Sequence, residues 1–470
     1  MRSHDGSSMP EAHASAWLTL MQGMVKFGTA WGEGNMMQQA PTGRQSRALD
    51  KIGKYEIIKK LGDGATSTVY LGRDPFANRE VAIKLVSREA FKDAPNGHVM
   101  HRLFLNEASL AGKLVHPHIV EIYDAVADED NAYIVMEYVA GGTLQRFARA
   151  DNLLELGDVI EIAYKCARAL DFASQIGVIH RDIKPANILV TDQNEIKITD
   201  FGSAALLRTE RTIVDGIGTP AYMSPEQHLN KPLNHQTDIY ALGVVMFQLL
   251  TGRLPFQAGN IAGLAHQILN AEPPLPSEFR PDIPGEIDVV VRRAIERDPA
   301  IRYMGWDQFA NDLAAIASGA PLTKRGVLET EKFNALRGLS FFRSFTDVEL
   351  WEVLRFGEWH AVTKGEAIMK EGAPGDFFCV LVDGEARVTR KLRLLYALKA
   401  GECFGEMAYL GEGSKMRTAD VIAVSDARLL KIPVSALERV SELCRLNFDR
   451  AFLRVLVERL TLANSKLTGV

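Results

Sequence analysis

Val178-Ile179-His180-Arg181-Asp182-Ile183-Lys184-Pro185-Ala186-Asn187 gathers a carboxylate, a cation and an amide into one short run, and Asp200-Phe201-Gly202 follows soon after. Phosphoryl transfer needs a carboxylate to orient the attacking hydroxyl, a positive charge against the moving phosphate and oxygen ligands for magnesium. Asp182, Lys184 and the pair Asn187 with Asp200 supply those roles at the required spacing. A turn that is merely polar does not place so many matching groups together.

Working outward, Leu61-Gly62-Asp63-Gly64-Ala65-Thr66-Ser67-Thr68-Val69-Tyr70 lies between two expected strands. Glycines there let backbone close over phosphates with no side chain intervening. Ser67 stands at the third small position. Lys84, in Val81-Ala82-Ile83-Lys84, sits on a strand that reads as buried, and a buried lysine needs an anionic partner to stay charged. Glu107, in the helical run after Arg102, is the natural partner, and Ala94-Pro95-Asn96-Gly97 reads as an inserted turn between the two.

These motifs resemble the eukaryotic-type serine/threonine protein kinases of bacteria, and the resemblance covers residues 55–317. It implies a bilobal α+β fold, ATP with Mg2+ (Mn2+ as a substitute), and transfer to serine or threonine. Asp182, Lys184, Lys84 and Glu107 then carry the catalysis, and Asn187 and Asp200 hold the metal. Nucleotide contacts are expected from Gly62, Gly64, Ser67, Val69, Ala82, Lys84, Glu137, Val139, Asn187 and Asp200. Met136 resembles the gatekeeper before the hinge, Glu226 is expected to pair with Arg302, and Asp238 to brace the catalytic loop. Arg181 places a cation where a phosphorylated activation loop docks, with Thr209 and Thr212 as phosphorylation sites and Ser203 less well placed.

The 470 residues divide by texture into an apparent flexible tail (1–52), a large mixed domain (53–317), a polar linker opening at Ser318-Gly319-Ala320-Pro321 (318–332), a second folded unit (333–464) and a short end (465–470). A net charge of -5 gives no support for a nucleic-acid partner. No apolar run reaches membrane-spanning length, and the N-terminal segment does not read as a signal peptide. The cysteines Cys166, Cys379, Cys403 and Cys444 are scattered without zinc-ligand spacing, which fits free thiols in a reducing, cytoplasmic setting.

In the second unit, short strands are punctuated by Gly365, Gly372, Gly375, Gly384 and Gly401, and an amphipathic helix near residues 448–462 closes it. That pattern reads as a small β-roll, jelly-roll-like, with flanking helices. Gly401-Glu402-Cys403-Phe404-Gly405-Glu406-Met407-Ala408 precedes Met416-Arg417-Thr418-Ala419. An arginine clamps a phosphate through paired charge-assisted hydrogen bonds, and a carboxylate accepts from a ribose hydroxyl. Arg417 and Glu406 fit these roles, with Gly405, Met407 and Ala408 as the cradle. The stretch resembles the phosphate-binding cassette of cyclic-nucleotide-binding domains. The resemblance implies cyclic AMP first and cyclic GMP second, since Thr418 beside the arginine also suits guanine. Phe448 and Phe452 are the aromatics considered for capping the base.

Together these features imply a kinase acting on protein substrates and on itself, regulated by a cyclic nucleotide. The competing reading is a constitutive kinase whose second unit is a ligand-free docking or dimerisation module, and a homodimer stays open in either case. A cyclic-nucleotide-responsive transcription factor, which appends a helix-turn-helix after the roll, is not expected: only a few residues follow Asn464 here, and the charge balance is not basic.

Overall fold

The computed structural model describes residues 50–63, 67–86, 97–127, 132–191, 195–203, 205–206, 220–319, 329–391, 393–410 and 416–468. Of the expected tail, residues 1–49 lie outside these, and Lys51–Ile52 already forms the first strand, with Ile52 in the core.

The N-terminal lobe is one antiparallel sheet built from β1 (Lys51–Ile52), β2 (Tyr55–Asp63), β3 (Ser67–Asp74), β4 (Arg79–Val86), β5 (Ile122–Ala127) and β6 (Ala132–Glu137), in the order β1-β2-β3-β4-β6-β5. Alternation along β4 decides its two faces. Val81 and Ile83 pack with Tyr55, Tyr133 and Val135, whereas Ala82 packs on the other side with Phe104, Ile134 and Met136. That second side carries Lys84 and faces α1 (Gly97–Ala108).

The lower lobe is helical. Its main members are α2 (Leu156–Gln175), α3 (Gln236–Thr251), α4 (Ile261–Asn270), α5 (Gly285–Ala294) and α6 (Trp306–Gly319). Every residue of α3 is buried, as expected of a helix apolar on all sides. It stops at Gly252, whose φ of 74° and close approach to Ala150 (a Cβ would lie 2.2 Å from its nitrogen) admit no side chain. Short strands β7 (Val178–Ile179), β8 (Ile188–Val190), β9 (Ile196–Ile198) and β10 (Ala205–Leu206) frame the catalytic stretch, pairing β7 with β10 and β8 with β9.

After α7 (Glu329–Gly338) and α8 (Asp347–Phe356) the chain forms β11 (Glu358–Val362), β12 (Ala367–Met369), β13 (Phe377–Asp383), β14 (Glu385–Arg390), β15 (Arg393–Lys399), β16 (Cys403–Phe404), β17 (Asp420–Ala423) and β18 (Ala427–Pro433). They make two four-stranded antiparallel sheets, β11-β18-β13-β16 and β12-β17-β14-β15, with Leu381, Val388, Leu398, Phe404 and Leu429 in the core between them. The chain closes with α9 (Glu442–Thr468). All four cysteines are buried free thiols.

Two expected boundaries differ. The stretch read as linker is helical at both ends, because α6 runs to Gly319 and α7 starts at Glu329. The cause lies in α2: buried Lys165 receives Glu329 at 2.6 Å, and Phe333 buries fully beside Tyr164. Residues read as a short end beyond 464 continue α9 to Thr468.

The roll is held to the helical lobe by α2. Arg168, 2% exposed, donates to Asp347 of α8 and to Asp307 of α6 at 2.7 Å each. Tyr164 donates to Asn334 at 2.8 Å. Trp351 of α8 stacks on Phe333 and meets the edge of His118, in the segment between α1 and β5, with centroids 4.6 Å apart in both contacts. Burial holds His118 well below the usual histidine range, so that ring is neutral. One continuous apolar core therefore runs from Leu170 through Phe333 and Trp351 to Phe448 and Phe452. Trp351→Ala removes the centre of this seam and is expected to cost about 3–5 kcal/mol, read from urea unfolding of the full chain. A loss below about 1 kcal/mol would show that the seam contributes little.

Candidate functional site

Three elements converge in the cleft between the lobes. Lys84 on β4 lies 3.2 and 3.0 Å from the two oxygens of Glu107 on α1, and 2.6 Å from Asp200. Burial alone would lower the lysine pKa, but the two carboxylates reverse it and hold the ammonium firmly charged. Burial pushes Glu107 up against the pull of Lys84. Asp200 is also desolvated, yet Lys84, His180 and Lys184 bring it below the ordinary aspartate value. Glu107 and Asp200 thus move in opposite directions around one cation, and the paired contacts at 3.0–3.2 Å mark Glu107 as the buttress of Lys84.

Below them, Lys184 Nζ donates to Asp182 Oδ2 at 2.8 Å, and the Asn187 amide donates to the same oxygen at 3.0 Å. Asp182, Lys184 and Asn187 are therefore one hydrogen-bonded cluster. The loop is braced from beneath: Asp238 of α3 accepts the backbone N–H groups of His180 and Arg181 at 2.7 and 2.8 Å. Arg181 and Asp200 both adopt positive φ, 69° and 63°, a strained backbone that persists only where surroundings over-determine it. His180 ties the two strained segments together, its ring nitrogen 2.9 Å from Thr199 O and its ring 4.5 Å from Phe201.

The nucleotide side is apolar. Val69, Ala82, Met136, Tyr138, Val139 and Leu189 line one cluster, with Ala82 opposite Met136 in register. Leu189 escaped the sequence reading: it follows the catalytic motif as an ordinary strand residue, and only the β8–β9 hairpin brings it against this cluster. Glu137 pairs with Lys197 at 2.8 Å. Gly62 has open space above it and Ser67 opens β3, while Gly64 lies outside the described residues. So do Thr209 and Thr212. Asp200 and Asn187 offer oxygen atoms suited to magnesium, which takes one or two protein ligands and completes its shell with phosphate and water. No group of three or more His, Cys, Asp or Glu side chains suited to a metal ion occurs among the described residues.

In the roll, Arg417 is 8% exposed, lies over the Phe377 ring and donates to Gly405 O at 3.2 Å and Phe377 O at 2.7 Å. Burial lowers its pKa from the ordinary arginine value. Gly405 has φ of 79°, and a Cβ there would sit 2.6 Å from Met369 and 2.9 Å from Arg417, so the cradle requires glycine. Glu406 and Ala408 are buried, and Met407 and Thr418 are exposed. The structure thus brings Gly405, Glu406 and Arg417 together.

It also supplies a residue that sequence reasoning missed. Arg459 of α9 donates to Glu406 Oε1 at 2.6 Å and to Cys403 O, with its guanidinium 5.0 Å from the Tyr396 ring. Nothing local in the sequence marks it, because its partner is 53 residues away. Phe448 and Phe452, considered for capping a base, are fully buried against Phe378 and Phe341 and so cannot do so.

A two-lobed fold with this cation–carboxylate cleft defines a protein kinase, and the second site defines a cyclic-nucleotide-type roll. Residues 55–311 match the protein kinase domain, and residues 359–443 the cyclic nucleotide-binding domain. The first match spans more than half the chain, which belongs to the protein kinase family. Similar proteins include serine/threonine-protein kinase PrkC of Bacillus subtilis, 40% identical over 53% of this chain and 38% of its own length. A probable serine/threonine-protein kinase of Clostridium acetobutylicum is 37% identical over 56% of this chain and 40% of its own. Serine/threonine-protein kinase PknB of Mycobacterium leprae is 36% identical over 57% and 44%. The chain thus spans about two-fifths of the length of these curated relatives. No helix among the described residues is long and apolar enough to cross a membrane.

A buried ion pair makes the stability of the helical lobe depend on pH. Arg302, wholly buried, holds Glu226 at 2.8 and 3.1 Å. Burial would raise Glu226, but Arg302 outweighs it and the net shift is downward. The pair's contribution is therefore present above the unfolded glutamate value and is lost as pH falls through the folded one. In Arg302→Ala burial dominates, the sign inverts, and the carboxyl prefers its proton in the folded state. The variant is expected to lose about 3–5 kcal/mol at neutral pH, and the gap to the parent shrinks as pH falls toward 4.5. A gap independent of pH in paired urea titrations would contradict this.

Proposed function

We propose that the chain transfers the γ-phosphoryl group of ATP to serine and threonine residues of proteins, itself included, and that a cyclic nucleotide bound in the roll sets this activity. The convergence of Lys84, Glu107, Asp200, Asn187 and Asp182 in one cleft carries the reading. Asp182 is the group that orients the attacking hydroxyl and takes its proton. Lys184 balances charge on the transferring group, and Lys84, fixed by Glu107, holds the α- and β-phosphates. Magnesium held by Asn187 and Asp200 neutralises phosphate charge. Thr209 and Thr212 are the proposed autophosphorylation sites. Arg181 supports this, since its Nε is buried with no hydrogen-bond partner among the described residues and a phosphate would supply one.

In the roll, Arg417 is the phosphate clamp and Glu406 the acceptor for a ribose hydroxyl; Arg459 takes Oε1 and leaves Oε2 for it. Cyclic AMP is the preferred ligand, cyclic GMP the second, with exposed Thr418 as the feature that favours guanine.

Asp182→Ala is expected to lower phosphate incorporation into the protein and a generic substrate by about a hundredfold or more, with magnesium and ATP supplied. Undiminished incorporation would overturn the assignment. Arg417→Ala is expected to abolish nucleotide binding in calorimetry and leave basal incorporation intact. Arg459→Ala separates capture from response. Binding is expected to stay within about tenfold of the parent, a difference of ~1.4 kcal/mol, while the nucleotide-dependent change in rate disappears. Neither cyclic AMP nor cyclic GMP binding the parent chain would favour the docking reading of the roll instead.

A further inference from the structure

The β14–β15 hairpin carries a charge pattern opposite to that of the whole chain. From Ala386 to Lys399 it holds Arg387, Arg390, Lys391, Arg393 and Lys399 with no Asp or Glu, in a chain whose net charge is -5. All of these cations are exposed. Lys399 stands opposite Glu385 at the base of the hairpin, so the uncompensated charge gathers at the tip. There Arg390 lies 3.6 Å from Glu371, which also accepts the Lys391 backbone N–H at 3.2 Å. Asp420, beside Thr389, accepts the Glu371 backbone N–H. The side chains of Arg387, Lys391 and Arg393 have no hydrogen-bond or ion-pair partner among the described residues. Leucines stand among these cations. The inner face of the hairpin is taken by Ala386, Val388 and Leu398, which bury in the roll. In a regular strand successive side chains point to opposite faces, so one of two neighbouring leucines would bury as well. Here the pairing passes from Val388 with Tyr396 to Thr389 with Leu394, and Leu395 is the extra residue of a bulge. Leu394 and Leu395 are both exposed in consequence, at 64% and 45%. Lys391 at the turn has φ of 46°, a conformation that glycine or asparagine adopts with less strain, yet the position holds a cation.

We propose that this hairpin tip docks the chain on an anionic lipid bilayer. Leu394 and Leu395 enter the boundary between headgroups and acyl chains, and Arg387, Arg390, Lys391 and Arg393 meet the surface phosphates. Two features select that partner. Cations clustered around exposed aliphatic side chains combine the two attractions an interfacial site uses, charge toward anionic headgroups and apolar area toward acyl chains. A nucleic acid would engage the cations and leave the leucines without a partner. Its single-stranded sites set cations among stacking aromatics, and the one aromatic of the hairpin, Tyr396, is half-buried and packs on the roll core.

The test is co-sedimentation of the full chain with vesicles of phosphatidylcholine alone and of phosphatidylcholine mixed with phosphatidylglycerol. The chain is expected to pellet with the anionic vesicles only and to be released as salt is raised. A chain that stays in the supernatant with the anionic vesicles at low salt would overturn the proposal. Arg387→Ser with Lys391→Asn and Arg393→Ser is expected to lower partitioning by about a hundredfold, at roughly fivefold per cation, with unchanged circular dichroism. Asparagine at 391 suits the positive φ, so the turn is kept. Leu394→Ser with Leu395→Ser retains every charge and is expected to lower partitioning by about tenfold. Partitioning unchanged by loss of both leucines would show adsorption by charge alone and overturn their insertion. Leu394→Trp gives a readout that needs no loss of binding: its fluorescence is expected to shift to the blue on anionic vesicles, and an unshifted spectrum on vesicles that pellet the chain would place the contact elsewhere.

Discussion

The buried guanidinium of Arg168 is the interaction on which the arrangement of the chain depends. It sits inside α2 with Asp171 on its own helix, Asp307 on α6 and Asp347 on α8. One turn away, buried Lys165 gathers Glu161, Glu195 and Glu329. Two cations on one helix thus take anions from the catalytic lobe and from the helices that lead into the roll. Desolvating such charges offsets most of their mutual attraction, so their net contribution to stability is small while the cost of separating them is large. Affinity between the parts comes from Trp351 and Phe333, which are fully or almost fully buried. The ion pairs determine the angle at which those rings meet the lobe. Apolar surfaces tolerate sliding and paired charges do not.

The same distinction explains which features were legible in the sequence. Residues 180–187 and 200–202 form their site within one stretch of chain, so residue type and spacing were sufficient. Lys84 and Glu107 could be joined because a lysine on a buried strand demands an anion. Gly405, Glu406 and Arg417 were legible for a similar reason, since the short stretch between β16 and β17 holds all three. Arg168 and Lys165 were not, because on an isolated helix they read as ordinary solvated charges. Their partners Asp347 and Glu329 stand 179 and 164 positions away, and the polar stretch carrying Glu329 read as linker. An interface built from charges has the composition of a solvent-facing segment. Phe448 and Phe452 failed in the opposite sense: an aromatic on an amphipathic helix can cover a ligand or a core, and only the position of Phe378 shows that these cover the core.

From these contacts a continuous packed route joins the two sites. Glu406 of the cradle binds Arg459 of α9. Near its other end α9 binds α8 through Asn447, which donates to both oxygens of buried Glu349 at 3.0 Å. Two residues along α8 from Glu349 stand Asp347 on one side and Trp351 on the other, and these are the groups that grip α2. Helix α2 ends at Gln175, immediately before the β7 strand that leads into His180 and Asp182. A contiguous route is not by itself coupling; coupling requires an element with two arrangements whose balance a ligand shifts. The best placed is the far half of α9. Its near half is locked by Phe448, Ala451 and Phe452, whereas beyond Val455 the described contact that draws it toward the roll is that of Arg459. On the proposed reading, a ribose hydroxyl at Glu406 acts on that anchor.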